Sequence, residues 1–503
     1  MVPAPARMKL RGATFIVMAV VAALLWFGIT ALATPFDHDE SQYVAGAWFS
    51  SHMLIYRDFL YLQPPLHAWL FAPLTWAFPG KMLAAMRLAT AACAVGTLLL
   101  LYLVQRRAGV SRGSAVLATI SMATTAAFQF TASVTRNDML PTMLATLAML
   151  LMIAALHIGR RRHWFAAGVF FGLAIAAKLN FIPLGAAAGG FALLAYRRHA
   201  LWLALGALAG IAPMLMAWAA APAAFSYGVV TFAASGPFAW YAANGAGDEL
   251  ALGEKFADLA KYLWRGPALM SLAMILGHGW ANRGRACPPE RQFAYWMIGG
   301  GLIGAALPTP SQLQYVMPLL PPLGLALGIM LDDARAWHGR MRPGLIALLC
   351  LAAVPGLLPS GGHVAAMTRH GSPILTASAN ARWAGAQVRA LTGDDEIVSL
   401  SPQQLVDSGL NIDRRFAPGP FVYRTGWTMD KAEARSIHAM IPAILTDLDR
   451  DPPEAILVGY EMGTRKLPLR PDDSLIAYAK RRAYRMLAMP DGVGKLYIRP
   501  SRR

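Results

Sequence analysis

The stretch "FIVMAVVAALLWFGITALATPFDHDESQY", residues 15–43, decides how the chain is read. Residues 15–34 carry no charge, and then three acids and a histidine arrive within six residues. An apolar run of about 20 residues matches the hydrocarbon thickness of a bilayer. Arg7, Lys9 and Arg11 before it, and the A-x-A pattern at Ala31–Ala33 at its end, imitate a secretion signal. The run is long for the apolar core of such a signal, so it reads as an uncleaved first membrane helix. The acids then stand at the mouth of a span, where carboxylates need a reason.

Composition extends that reading to the whole chain. Of 503 residues, 56% are hydrophobic and only 14% charged, with a mean hydropathy of +0.43. An ordinary soluble domain is about 25% charged. The net charge of +18 marks topology and not a nucleic-acid partner, because Arg and Lys collect in the cytoplasmic loops of membrane proteins. Cys93, Cys287 and Cys350 lie far apart and suggest neither a disulfide framework nor a metal knuckle.

Apolar runs near residues 13–34, 82–104, 114–133, 139–158, 163–177, 181–196, 200–221, 266–281, 292–307, 314–331 and 343–359 predict about eleven transmembrane helices. The loops between them alternate in charge. "QRRAGVSR" (105–112), "GRRRH" (159–163), "YRRH" (196–199), "NRGRACPPER" (282–291) and "DDARAWHGRMR" (332–342) fall on the side of the N-terminus. The loop 35–80, the turns near 136 and 178, the loop 222–264 and the tail fall on the other. The positive-inside rule places the N-terminus in the cytoplasm and the tail outside. The domains are thus 1–359 in the membrane and 360–503 beyond it. In the tail, "EIVSLS" (396–401) and "AILVGY" (455–460) read as buried strands, 484–500 as a hairpin, and 430–448 as helical. The expected fold is an α-helical polytopic membrane protein with a small C-terminal α/β or α+β extracytoplasmic domain.

Polar clusters recur on the outer face. In the first loop, Asp37 or Asp39 can cap a helix over about 40–52, and Pro64-Pro65 can start a second. The apolar side of the second (Leu66, Trp69, Leu70, Pro73, Trp76) predicts that this loop lies along the membrane interface. Arg136, Asn137 and Asp138 sit between two spans, Lys178 between two more, and Gln312, Gln314 and Tyr315 open the tenth. Carboxylates beside cations at headgroup depth suit a site that holds a phosphate-bearing lipid and orients an acceptor hydroxyl.

The stretches "DESQY" (39–43), "YRDF" (56–59), "QPPL" (63–66), "TRND" (135–138), "AKLN" (177–180) and "QYVMPLLPPL" (314–323) resemble the GT-C glycosyltransferases. The likeness is to their protein O-mannosyltransferase and aminoarabinose-transferase branch. It covers about residues 10–335. It implies a GT-C fold, a polyprenyl-phosphate sugar as donor, and a reaction on the non-cytoplasmic face. Carried over, Asp39 is the catalytic carboxylate, with Glu40 and Asp138 beside it. Arg136 and Lys178 are phosphate contacts, and Tyr315 lines the lipid path, with Arg57, Gln63 and Tyr43 as further donor-site candidates. Where such relatives often have a lysine before the Pro-Pro pair, this chain has Gln63, so the phosphate needs its charge partner elsewhere.

The reading is an integral membrane glycosyltransferase of a bacterial inner membrane, moving sugar to a lipid, glycan or protein acceptor. The absence of Rossmann and P-loop fingerprints agrees with a donor that is not a nucleotide. The sequence specifies no cofactor. A divalent cation among Asp39, Glu40, Asp138 and nearby histidines is left open, since their spacing specifies none. A transporter or flippase is the rival. It predicts charges inside spans and related halves, whereas here the charges gather at span ends and no half repeats.

Overall fold

The computed structural model describes residues 6–335 and 341–500. Residues 336–340, in the Arg-rich 332–342 loop, lie outside them, as do the side chains of Arg7, Lys9 and Arg11. Each of the eleven apolar runs falls on a helix or a helix pair. By length and composition, five helices can cross a membrane: Thr14–Ala33, Met82–Arg107, Met139–Ile158, Leu313–Ala334 and Pro343–His370. Two bent pairs raise the number to seven, and Leu179–Ala195 and Ala268–Ala281 are apolar but shorter. The chain is a multi-pass membrane protein. Helix α1 (Ala6–Ala33) turns Phe15, Val17, Met18, Leu25 and Ile29 outward. Such a row of exposed apolar side chains needs lipid to cover it.

The run at 114–133 is not one helix. It divides into Arg112–Ala123 and Ala126–Ser133, bent by 68°. Thr125 takes extended backbone angles and its hydroxyl accepts from the Phe128 N–H, so it starts a new helix within the apolar run. The Ala126 N–H goes instead to the Arg265 carbonyl, at 2.8 Å. The break directs the chain into the "TRND" turn. The run at 200–221 is bent by 42° between Arg197–Gly210 and Ala212–Ala220, with Pro213 in the first turn of the second helix.

Small residues bring two helices together. In Arg161–Ala177 and Arg197–Gly210, a Cβ on Gly168, Gly172, Gly206 or Gly210 would fall within 2.3 Å of a carbonyl oxygen of the facing helix. Both helices therefore carry a G-x-x-x-G pattern, the spacing that lets membrane helices touch backbone to backbone.

The first loop forms α2 (Glu40–Ser50), α3 (Leu66–Phe71) and α4 (Pro73–Ala77). The second half lies as predicted, with Leu70, Trp76 and Phe78 about half exposed or more. The first half does not. Helix α2 is buried along nearly its whole length, from Glu40 to Ala47, because the tail covers it.

The last long helix runs to His370, beyond the end expected at 359. Helix Pro373–Thr392 then leads to a five-stranded mixed sheet: β1 (Glu396–Ser399), β2 (Asn411–Ile412), β3 (Ala455–Val458), β4 (Arg485–Ala488) and β5 (Lys495–Ile498), in spatial order β2-β1-β3-β5-β4. Strand β1 is parallel to β2 and β3, while β3–β5 and β4–β5 are antiparallel, the latter being the predicted hairpin. The 430–448 segment forms two short helical pieces, Lys431–Ser436 and Pro442–Asp449.

Side chains of the tail fasten it to the membrane helices. The Met82 N–H, at the start of helix Met82–Arg107, donates to Asp407 Oδ1 at 2.7 Å. The Arg382 guanidinium donates to the Gly80 carbonyl at 2.7 Å. The first satisfies an N–H that a helix start leaves without an intrahelical partner. Helix Met82–Arg107 therefore begins against the tail and ends at Arg106-Arg107, about 39 Å away at 1.5 Å per residue. Helix Met139–Ile158 begins at Asp138 and ends beside Arg160, and Arg161–Ala177 returns to Lys178. The polar clusters share the tail's end of the bundle, and the arginine loops share the other.

Candidate active site

Three loops and the tail converge around Arg136. The side chain is only 4% exposed, yet each of its nitrogens meets a carboxylate: Nη1 to Asp37 at 2.5 Å, Nη2 to Asp39 at 2.7 Å, and Nε to Asp138 at 3.3 Å. Tyr43 and Phe130 rings flank the guanidinium, at 5.7 and 5.9 Å. Lys178 Nζ reaches the other oxygen of Asp138 at 2.5 Å and lies over the Tyr315 ring at 5.3 Å. Asn137 bridges its Nδ2 to Gln63 Oε1 at 3.2 Å and to the Ala177 carbonyl at 3.0 Å. Asp39, Asp138, Arg136, Lys178, Tyr43, Gln63 and Tyr315 are thus brought together in space.

Asp39 begins α2 but does not cap it with its side chain. Its own backbone N–H donates to Asp37 Oδ2 at 3.2 Å, and its carboxylate points to Arg136. Burial alone would raise the Asp39 pKa; the Arg136 charge, with His38 and Arg424 behind it, overrides this and holds it well below the usual carboxylate range. The Asp39 side chain stays 32% exposed, Asp37 21%. This is an ionised carboxylate with an open side.

Glu40, the neighbouring candidate, does not join the cluster. Arg87 forks onto it, Nε to Oε1 at 2.8 Å and Nη2 to Oε2 at 2.5 Å. The backbone N–H groups of Thr135 and Asp37 fill its remaining acceptor positions at 2.7 and 2.9 Å. Arg87 in turn donates to the carbonyls of Ala31, Thr34, Pro35 and Ser133. Both side chains are fully buried. Glu40 is a clamp that ties α1, α2 and the "TRND" turn together, with no lone pair left for a substrate. Arg57 is not drawn in either. It is more than half exposed and pairs with adjacent Asp58 at 2.9 Å. Arg136 differs from expectation too, because a guanidinium occupied on all three nitrogens is a scaffold for carboxylates before it is a phosphate ligand. Lys178 keeps two N–H donors beyond its bond to Asp138.

The tail supplies residues that sequence did not indicate. His38 Nε2 meets Glu461 Oε2 at 3.0 Å, and its Nδ1 lies 3.5 Å from Asp39. Burial would push the His38 pKa down, but the two carboxylates outweigh it and raise it to about 9. Asp472 holds Glu461 in place by accepting from the Glu461 and Gly459 N–H groups, at 3.0 and 2.6 Å. Among the described residues, no group of three or more His, Cys, Asp or Glu side chains is arranged to hold a metal ion. The carboxylates considered for one are each turned onto a cation.

With this geometry in view, the sequence model of the dolichyl-phosphate-mannose-protein mannosyltransferase family matches residues 62–220. That stretch contains Gln63, Arg136, Asp138 and Lys178. Two solved structures are similar over nearly the whole chain. ArnT from Cupriavidus metallidurans bound to undecaprenyl phosphate aligns with a TM-score of 0.60 at 15% identity, covering 96% of this chain and 97% of that one. The same protein in the apo state gives 0.60 at 16% identity, with 97% and 98% covered. No curated protein matches the sequence. At such identity the likeness establishes the fold alone, over the helical bundle and the C-terminal domain together.

Proposed function

We propose that the chain is an integral membrane glycosyltransferase of a bacterial inner membrane. It transfers a sugar from a polyprenyl-phosphate donor to a lipid, glycan or protein acceptor on the extracytoplasmic face, with its N-terminus in the cytoplasm. One observation carries the reading: an ionised, partly open Asp39 sits beside Lys178 and its spare donors, at the end of the bundle away from the arginine loops. The mannosyltransferase family match and the undecaprenyl phosphate in the ArnT structure support a lipid-phosphate donor.

In the reaction, the acceptor hydroxyl oxygen attacks the anomeric carbon as the bond from that carbon to the phosphate oxygen breaks. Polyprenyl phosphate leaves, and Lys178 stabilises the charge that gathers on it. A carboxylate held at low pKa is a weak base in the ground state. The hydroxyl becomes strongly acidic once its oxygen bonds to carbon, and Asp39 then takes the proton. Arg136 holds Asp39, Asp37 and Asp138 in register for this. Attack opposite the phosphate inverts the anomeric centre.

Proteoliposomes given a panel of radiolabelled polyprenyl-phosphate sugars test the proposal. The expected result is label moving to an acceptor with release of polyprenyl phosphate. Label that crosses the bilayer with its glycosyl-phosphate bond intact would make the protein a flippase instead.

A further inference from the structure

Among the described residues, each cation of the site but one faces a carboxylate. Arg136 holds three aspartates, Lys178 holds Asp138, Arg87 holds Glu40, and His38 lies between Asp39 and Glu461. Among the described residues, Arg424 has no carboxylate at ion-pair distance. It comes from the tail, just after the short helix Pro420–Tyr423. Its guanidinium lies over two rings, Trp240 at 4.7 Å and Phe421 at 4.8 Å. Phe421 also packs edge-on to His38, with ring centroids 5.1 Å apart. Asp39, Glu461 and Tyr241 are the charged and titratable groups that Arg424 feels.

Two further observations show that this placement is built. Gly419, with φ of +62°, leads into the Pro420–Tyr423 helix, and a Cβ there would meet Ser41 Oγ of α2 at 2.9 Å. Only glycine lets the tail approach α2 so closely, in a backbone region that side chains disfavour. Next, two neighbouring buried donors, Arg424 Nε and Trp240 Nε1, have no acceptor. Buried N–H groups are rarely left without one, and a pair of them, one on the guanidinium itself, suits an oxyanion.

We propose that Arg424 is a substrate-binding residue that takes phosphate oxygens of the polyprenyl-phosphate donor, so that the tail domain completes the transferase site. The inference rests on the reading under Proposed function and names the charge partner that Gln63 cannot supply. A guanidinium lying over aromatic rings keeps its N–H groups free to grip a phosphate in a two-point fork. Trp240 belongs to the Phe232–Ala243 helix of the second outer loop, so a bound phosphate would join that loop to the tail.

The test is binding to the purified full-length protein in nanodiscs, by titration with undecaprenyl phosphate, the uncharged polyprenol and inorganic phosphate. Arg424→Gln should weaken undecaprenyl phosphate binding about 10- to 100-fold, the worth of a charge-assisted fork. Polyprenol binding should be unchanged, and Arg424→Lys should recover part of the loss. A purely structural role, joining Trp240 to Phe421, would lower affinity for phosphate lipid and polyprenol alike, and that result would overturn the proposal. So would unchanged undecaprenyl phosphate affinity in a well-folded Arg424→Gln protein. Loss of inorganic phosphate binding alone would overturn the donor assignment. If the wild-type protein binds no undecaprenyl phosphate, the donor reading itself fails, and this inference fails with it.

Discussion

Asp39 and Glu40 are adjacent in sequence, and each meets a buried arginine, yet they end in different kinds of site. The Glu40–Arg87 pair is closed. Both side chains are fully buried, and every Glu40 acceptor position is used by Arg87 or a backbone N–H. The Asp39–Arg136 set is open. One guanidinium faces three carboxylates, and two of these remain partly exposed. A saturated ion pair has nothing left to offer a substrate and serves architecture. Three carboxylates around one guanidinium, with Lys178 paired to the third and solvent on one side, leave acceptor positions that the saturated pair lacks. The difference lies in what each carboxylate has left over, which residue type does not reveal.

The comparison can be broken most sharply at Asp39. Asp39→Asn should leave insertion and melting unchanged while transfer falls about 10²–10⁴-fold, the range for a lost general base. Sugar release from a labelled donor reads this directly. On the closed side, Arg87→Met removes one partner of a buried pair and strands Glu40. The expected loss is about 3–5 kcal/mol of stability, seen as a collapsed yield of folded protein in size-exclusion profiles. A smaller effect distinguishes members of the open set. Lys178→Gln should raise the donor's apparent KM about tenfold, one charge-assisted contact's worth, while Asp37→Asn should reduce turnover less than Asp39→Asn does.

The weakest expected effect is the pH dependence of tail docking. The His38 pKa is raised to about 9 from an ordinary value near 6.5. The bound proton therefore favours the docked state below the ordinary pKa, and the benefit is lost as pH rises through about 9. Limited proteolysis of the tail should quicken between pH 7 and 10, and His38→Gln should flatten that profile. An unchanged profile in the variant would remove His38 from the docking contact.

Much of the membrane half was legible because it rests on local signals. The apolar runs fall on helices, and Pro64-Pro65 does precede a helix. The tail strands and the hairpin at 484–500 also lie where pattern and turn residues put them. The Thr124-Thr125 break was hidden because threonine is apolar enough to continue a span, and only its backbone angles and the Arg265 carbonyl reveal a new helix start. Glu40 was misread although a signal existed: Arg87 stands alone within an apolar run, and a charge there demands a partner. The glycines at 168, 172, 206 and 210 were likewise readable as a packing motif. Glu461 and Arg424 had no such trace. They reach the site across more than 380 residues of chain, through a domain whose own sequence shows no catalytic pattern.

The most direct test sets the two neighbours against each other in one assay. Asp39→Asn and Glu40→Gln proteins are each fractionated to the folded, monodisperse species, and transfer is measured per folded molecule. The account predicts a normal yield with activity lost for Asp39→Asn, and a poor yield with near wild-type activity per folded molecule for Glu40→Gln. A well-folded, inactive Glu40→Gln protein beside an active Asp39→Asn protein would contradict it.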